Sequence, residues 1–178
     1  GQEHVLDAPD DNTRWWLFRA LKGSVLCSEI WAQGESSAPY SCTWQRMQVR
    51  LVQAGDVPIV LPMGLELVAS GYEQRADDPV VVQQVTLVRD DYSTPLQQVS
   101  VAYPRRAQHP LSPYPNNMPA DAWDNTYDEQ QQKLRLTESL TTVIHLTDPQ
   151  GWRLGLPDTR RGNQLVFDSV PVGGINYE

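Results

Sequence analysis

From Leu134 onward the even positions read Leu134, Leu136, Glu138, Leu140, Thr142, Ile144 and Leu146, while the odd ones are mostly Arg135, Thr137, Ser139, Thr141 and His145. A helix places its apolar residues every three or four positions, so an alternation sustained this far excludes one and predicts a long strand with one buried face. The run ends in Asp148-Pro-Gln-Gly151, where Pro149 fixes φ and Gly151 can take φ > 0, and the chain returns through Trp152–Leu156. That is a β-hairpin.

The same signal recurs upstream. Val80–Val88 and Leu96–Tyr103 flank the turn Asp90-Asp-Tyr-Ser-Thr-Pro95, and Val99, Val101 and Tyr103 share a face. Ser24–Gln33 and Thr43–Ala54, rich in Val, Leu, Ile and Trp, are separated by the polar loop Gly34–Pro39 and form a third hairpin. Gly64–Glu73 reads as a further strand, entered through a stretch where Pro58 and Pro62 block pairing in a sheet centre. The segment Thr13–Lys22 reads as a helix with Thr13 as N-cap and Gly23 at C′, with a strand over the same residues as the alternative. Five prolines between Pro104 and Pro119 make residues 104–126 an extended surface loop, and Ala122–Gln132 adds a short helical turn. The turns Asp90…Leu96 and Asp148…Leu154 form a loose repeat, each an acidic residue, a break and a strand-opening Leu. The expected fold is mainly β: long antiparallel hairpins in a curved or sandwich-like sheet, with one or two short helices.

The chain's 178 residues suit one β-rich domain, 1–178. With 14 Lys+Arg against 22 Asp+Glu the formal charge is −8, so no chain-wide positive field exists to hold nucleic acid or anionic lipid. No apolar run approaches the roughly 20 residues of a membrane helix, so direct membrane insertion is not expected. No initiator Met opens the chain, Gln2–Pro9 lacks a signal sequence, and Gly1 reads as a cloning scar. The mixed apolar and polar end, Val172–Glu178, reads as chain still passing through structure, so the expectation is a fragment of a larger protein. Such a cut-out sheet exposes edges, which predicts self-association or edges masked by the Pro-rich loop.

Two cysteines do not make a disulfide scaffold. With the first hairpin's loop centred near Ser37, facing residues sum to about 74, which sets Cys27 opposite Met47 rather than Cys42. Both are expected as free, partly buried thiols. His4, His109 and His145 have no ligand spacing, and Asp121–Glu129, with four carboxylates, lacks the alternation and central Gly of an EF-hand loop, so no metal is assigned. Neither a nucleophile elbow nor a Gly-rich phosphate loop is present, and Ser41-Cys42 has no base nearby in sequence. No catalytic residue and no cofactor are assigned. Arg105-Arg106 and Arg160-Arg161 read as charged edges. Of six tryptophans, Trp31, Trp44 and Trp152 lie in or beside strands and are expected to be buried. Two exposed, roughly coplanar rings would instead favour the alternative, a carbohydrate-binding β-sandwich.

Several stretches resemble the middle/C-terminal region of the B component (TcdB-type, SpvB- and Rhs-related) of bacterial insecticidal toxin complexes. They are Arg19–Glu29, Pro39–Ser41 followed by Gln48–Val52, Tyr72–Pro79, Asp90–Leu96 leading to Val101–Arg106, Tyr127–Gln132, and Leu154–Pro157. They stand in the family's order and span about residues 14–157. Ser93 stands where such turns usually carry Gly, and Cys27 where the family often has a basic residue.

The resemblance implies a non-enzymatic structural segment. It would form part of the wall of a hollow, β-lined shell that B and C components build around the toxic C-terminal portion of the C component. Implied partners are flanking strands of the same subunit and the C subunit, with the pore-forming A component reached indirectly. The implied location is extracellular, as part of a secreted toxin, and cytoplasmic before release. A net-negative wall would repel acidic cargo segments, an idea that depends on which face carries the charge.

Overall fold

Each turn in this chain joins two strands that then pair with one another, and repeating that step produces the architecture. The structure, a computed structural model, describes residues 8–34, 37–105, 122, 125–126 and 128–168. Helix α1 (Asp11–Ala20) precedes β1 (Cys27–Ile30), β2 (Ser41–Gln53), β3 (Ile59–Gly71), β4 (Val80–Arg89), β5 (Pro95–Ala102), a 3-10 turn (Glu129–Gln132), β6 (Leu134–Asp148) and β7 (Gly151–Phe167). The strands form one antiparallel sheet in the order β1-β2-β3-β4-β5-β6-β7. The predicted β class and all three hairpins are present. Most of loop 104–126 lies outside the described residues, and the helical turn expected in Ala122–Gln132 is the 3-10 turn, whose cap Asp128 accepts the Gln130 N–H at 2.8 Å.

The boundaries differ from expectation for physical reasons. Helix α1 starts earlier because Asp10, not Thr13, is the N-cap: its Oδ1 accepts the Thr13 N–H at 2.7 Å, and Thr13 is buried inside the first turn. Gly23, past the end, does take φ +84°. Strand β1 is only four residues long, and its register sets Cys27 opposite Trp44 and Glu29 opposite Cys42 rather than Cys27 opposite Met47. Tyr40 donates its N–H to Ile30 O at 2.7 Å, closing the loop off-centre from Ser37 and slipping the register. Both thiols are free, Cys42 buried but Cys27 exposed.

Pro62 lies inside β3, opposite Val49, although it was expected to block pairing. Strand β4 joins β3 only over Glu66–Gly71, so at Pro62 the strand has a partner on one side alone, an edge position where proline is tolerated. The same reasoning explains why β7 continues to Phe167 instead of stopping at Leu156. Pro157 sits at a register shift, and the outer side of β7 has no neighbour among the described residues.

The face predicted to be buried on β6 is buried only at its root. Leu134 is 0% exposed, but Ile144 and Leu146 are 47% and 45% exposed. The register shifts at Thr142/Val143 and Ile144/Leu146 break the alternation. No second sheet lies over the tip among the described residues. The sheet is a single layer, with α1 touching only β2 and β3.

Candidate functional site

Residues opposite each other in register share a face, so rows can be followed across the sheet. One row is Cys27–Trp44–Val68–Gln83–Val101–Leu136–Leu165, and the next begins Arg46–Glu66–Val85–Val99–Glu138–Asn163. This face is rich in Val, Leu and Trp. The other carries Ser28–Thr43–Ala69–Val82–Ala102–Arg135–Val166 and Gln45–Leu67–Gln84–Ser100–Thr137–Gln164, mostly small or polar.

Polar ladders cross the apolar face. Arg46 pairs with Glu66 at 3.1 Å, and Gln83 donates to the other oxygen of Glu66 while accepting from the Tyr103 hydroxyl. Glu138 accepts from Asn163 Nδ2 at 2.8 Å and from Gln97. The bonds from Asn163 and Gln97, helped by Arg161 and opposed by desolvation, hold the Glu138 carboxyl below its usual range. A carboxylate held in this way is ionised at neutral pH and has no proton to give. Glu66 and Glu138 share their row with Arg46, whereas Asp56, Asp77, Asp78, Asp90 and Asp91 lie between strands and Asp148 ends β6 at its turn. The acidity therefore concentrates at the rim rather than over a face.

Two clasps fasten the rim. Asp90, at the β4–β5 turn, accepts the Tyr92 and Thr94 N–H groups at 2.9 and 2.7 Å and meets His145 Nε2 of β6 at 2.8 Å. His145 Nδ1 in turn accepts the Gly155 N–H of β7 at 3.0 Å. Burial pushes the Asp90 carboxyl up, but the bonds from Thr94, His145 and Tyr92 outweigh it and leave it below its usual range. At the other rim Arg105 grips Asp78 through Nη2 at 2.6 Å and Nε at 3.0 Å, and its N–H reaches Gln131 O at 2.7 Å. His145, which the sequence left without a role, is thus a link between hairpins. His4, His109 and Arg106 lie outside the described residues, as do Asp121 and Asp124 of the acidic stretch Asp121–Glu129.

Trp31, Trp44 and Trp152 are 51%, 56% and 64% exposed, contrary to the expectation that they are buried. A single layer supplies no opposing core to cover them. Trp15 and Trp16 meet edge to face at 89°, which is not the coplanar arrangement of a sugar platform. The first hairpin also gathers Cys27, Glu29 and Cys42, whose ligand atoms all lie within 4.8 Å of one another, the one such metal-capable group among the described residues. Sequence reasoning missed it because the register it assumed separates these residues.

A single-layer, seven-stranded sheet with large apolar side chains exposed on it, whose 17-residue outer strand β7 has, among the described residues, no strand on its far side, has the form of a section of a larger β-structure. The chain belongs to the insecticide toxin TcdB middle/C-terminal region family, whose sequence model matches residues 16–156. Among solved structures it is similar to a chain of the Photorhabdus luminescens Tc holotoxin pore, with TM-score 0.80 and 38% identity over 98% of this chain. It is also similar to a chain in the crystal structure of TcdB2–TccC3, with TM-score 0.78 and 40% identity over 94% of this chain. In both cases it spans 8% of the length of the chain it matches. No curated protein sequence matches it.

Proposed function

We propose that this chain is a non-enzymatic wall segment of a toxin-complex B subunit, within a shell that the B and C subunits build around the toxic C-terminal portion of the C subunit. The observation that carries the reading is the single-layer sheet with large apolar side chains on open faces, Trp44, Ile144, Trp152 and Leu165 among them. A continuous wall needs strands that pair with flanking strands on both sides and faces that meet either neighbours or lumen. The outer edges of long β7 and short β1, which have no partner strand among the described residues, supply those junctions. Membership in the TcdB family and likeness to the TcdB2–TccC3 structure support partnership with a C subunit and, through the larger subunit, with the pore-forming component. The protein would act outside the producing cell after assembly in its cytoplasm. No helix among the described residues is long and apolar enough to cross a membrane. The whole chain, 1–178, would act as one β-rich piece of that wall.

Neighbouring positions on β7 face opposite ways, which gives a direct test. A photocrosslinking residue is placed at Leu165 or at Val166 in the full-length B subunit assembled with its C subunit. One site is expected to capture the C-terminal portion of the C subunit and the other not. Failure of both to reach the C subunit would overturn the reading.

A further inference from the structure

We infer that the β1–β2 hairpin holds a zinc-class divalent cation between Cys27 Sγ, Cys42 Sγ and the Glu29 carboxylate, with one position left for water. The register places Glu29 directly opposite Cys42, and Cys27 on the same face two residues away along β1. Their three ligand atoms lie within 4.8 Å of one another. Around an ion with sulfur ligands at about 2.3 Å, tetrahedral ligand atoms stand roughly 3.8 Å apart, so closure needs a movement of about 1 Å. Exposed Cys27 and Glu29 side chains at the end of a short edge strand can make that movement, while buried Cys42 provides the fixed point.

The carboxylate is already oriented for the task. Trp31 Nε1 donates to Glu29 Oε2 at 2.9 Å, which leaves Oε1 facing Cys42 Sγ at 4.0 Å. Holding the second oxygen of a ligating carboxylate is what partners around metal ligands commonly do. Two thiols and one carboxylate suit a borderline-soft cation rather than calcium or magnesium. On binding, each thiol loses its proton to solvent as its S–metal bond forms, and no electrons change hands. A disulfide does not explain the arrangement as well, because Cys27 and Cys42 are not opposed in the ladder and the held Glu29 carboxylate would have no part in it. The consequence of binding is mechanical: four-residue β1 is pinned to β2.

The test is cobalt titration of the reduced 178-residue chain under anaerobic conditions, followed by zinc competition, with folding of every variant checked by circular dichroism. The expected result is one cobalt per chain, with thiolate-to-cobalt charge-transfer and tetrahedral d–d absorption that zinc abolishes. Cys27→Ser, which changes an exposed residue and spares the fold, removes the charge-transfer band of a two-thiolate site. Trp31→Phe leaves the spectrum in place and weakens binding about 10-fold. Absence of the charge-transfer band while both thiols remain titratable would overturn the inference. So would an unchanged spectrum in Cys27→Ser, or conversion to a Cys27–Cys42 disulfide with no cobalt bound.

Discussion

Replacing Asp90 with Asn tests how the two long hairpins are held in one sheet. The carboxylate takes three hydrogen bonds, from Tyr92 N, Thr94 N and His145 Nε2, and its side chain is only 12% exposed. Because Gly155 donates its N–H to His145 Nδ1, the imidazole proton sits on Nε2 and is given to Asp90. An Asn can still accept the two turn amides through its oxygen, but its NH₂ then faces the Nε2–H. Moving the imidazole proton to Nδ1 only transfers the conflict to Gly155. The substitution therefore loses a hydrogen bond to an ionised group, worth about 1.5–3 kcal/mol. His145→Ala is expected to cost a similar amount, and the double variant less than the sum of the two, with a coupling of roughly 1–2 kcal/mol. Urea unfolding measures the loss, and amide exchange at Gly155 localises it. The pH dependence has a definite sign. Asp90 titrates below its usual range when folded, so its contribution is complete above the ordinary carboxylate pKa of about 4 and fades as pH falls through the folded value. Asp90→Asn removes that part of the acid limb. A variant within about 0.5 kcal/mol of the parent, with the same acid limb, would refute the clasp.

Two further substitutions probe the sheet. Leu134→Ala removes a side chain that is fully buried at the root of β6 and is expected to cost about 2–5 kcal/mol in urea unfolding; a loss below about 1 kcal/mol would mean that the small core lies elsewhere. Ser93→Gly relieves a left-handed backbone, φ +68°, and is expected to stabilise by up to about 1 kcal/mol in the same assay; a loss would mean that the Ser93 hydroxyl contact with Met63 outweighs the strain.

What the sequence made legible followed from local pattern. Alternation located β4, β5 and β6, and the turn residues at Asp90–Pro95 and Asp148–Gly151 placed the hairpins. Ser93, where related turns usually carry Gly, does adopt the left-handed conformation that such a turn requires. What stayed hidden depends on partners across space. Whether Pro62 and Pro157 end a strand depends on whether a neighbour lies on the side of the missing N–H, and only the sheet order decides that. The Cys27–Glu29–Cys42 group and the His145–Asp90 clasp arise from register and from the approach of two hairpins, neither of which spacing along the chain encodes. The exposure of the tryptophans is not legible because alternation tells which side chains share a face, not whether a second layer covers it.

The central claim is that this sheet continues into the rest of a larger wall. Hydrogen exchange along β7 tests it most directly, comparing the isolated chain with the full-length B subunit bound to its C subunit. The outward-pointing amides of Gly151–Phe167 have no strand beyond them among the described residues. They are expected to exchange rapidly in the isolated chain and to become protected in the assembled subunit. Equally rapid exchange in both would contradict it, because the edge would then remain an edge in the complete protein.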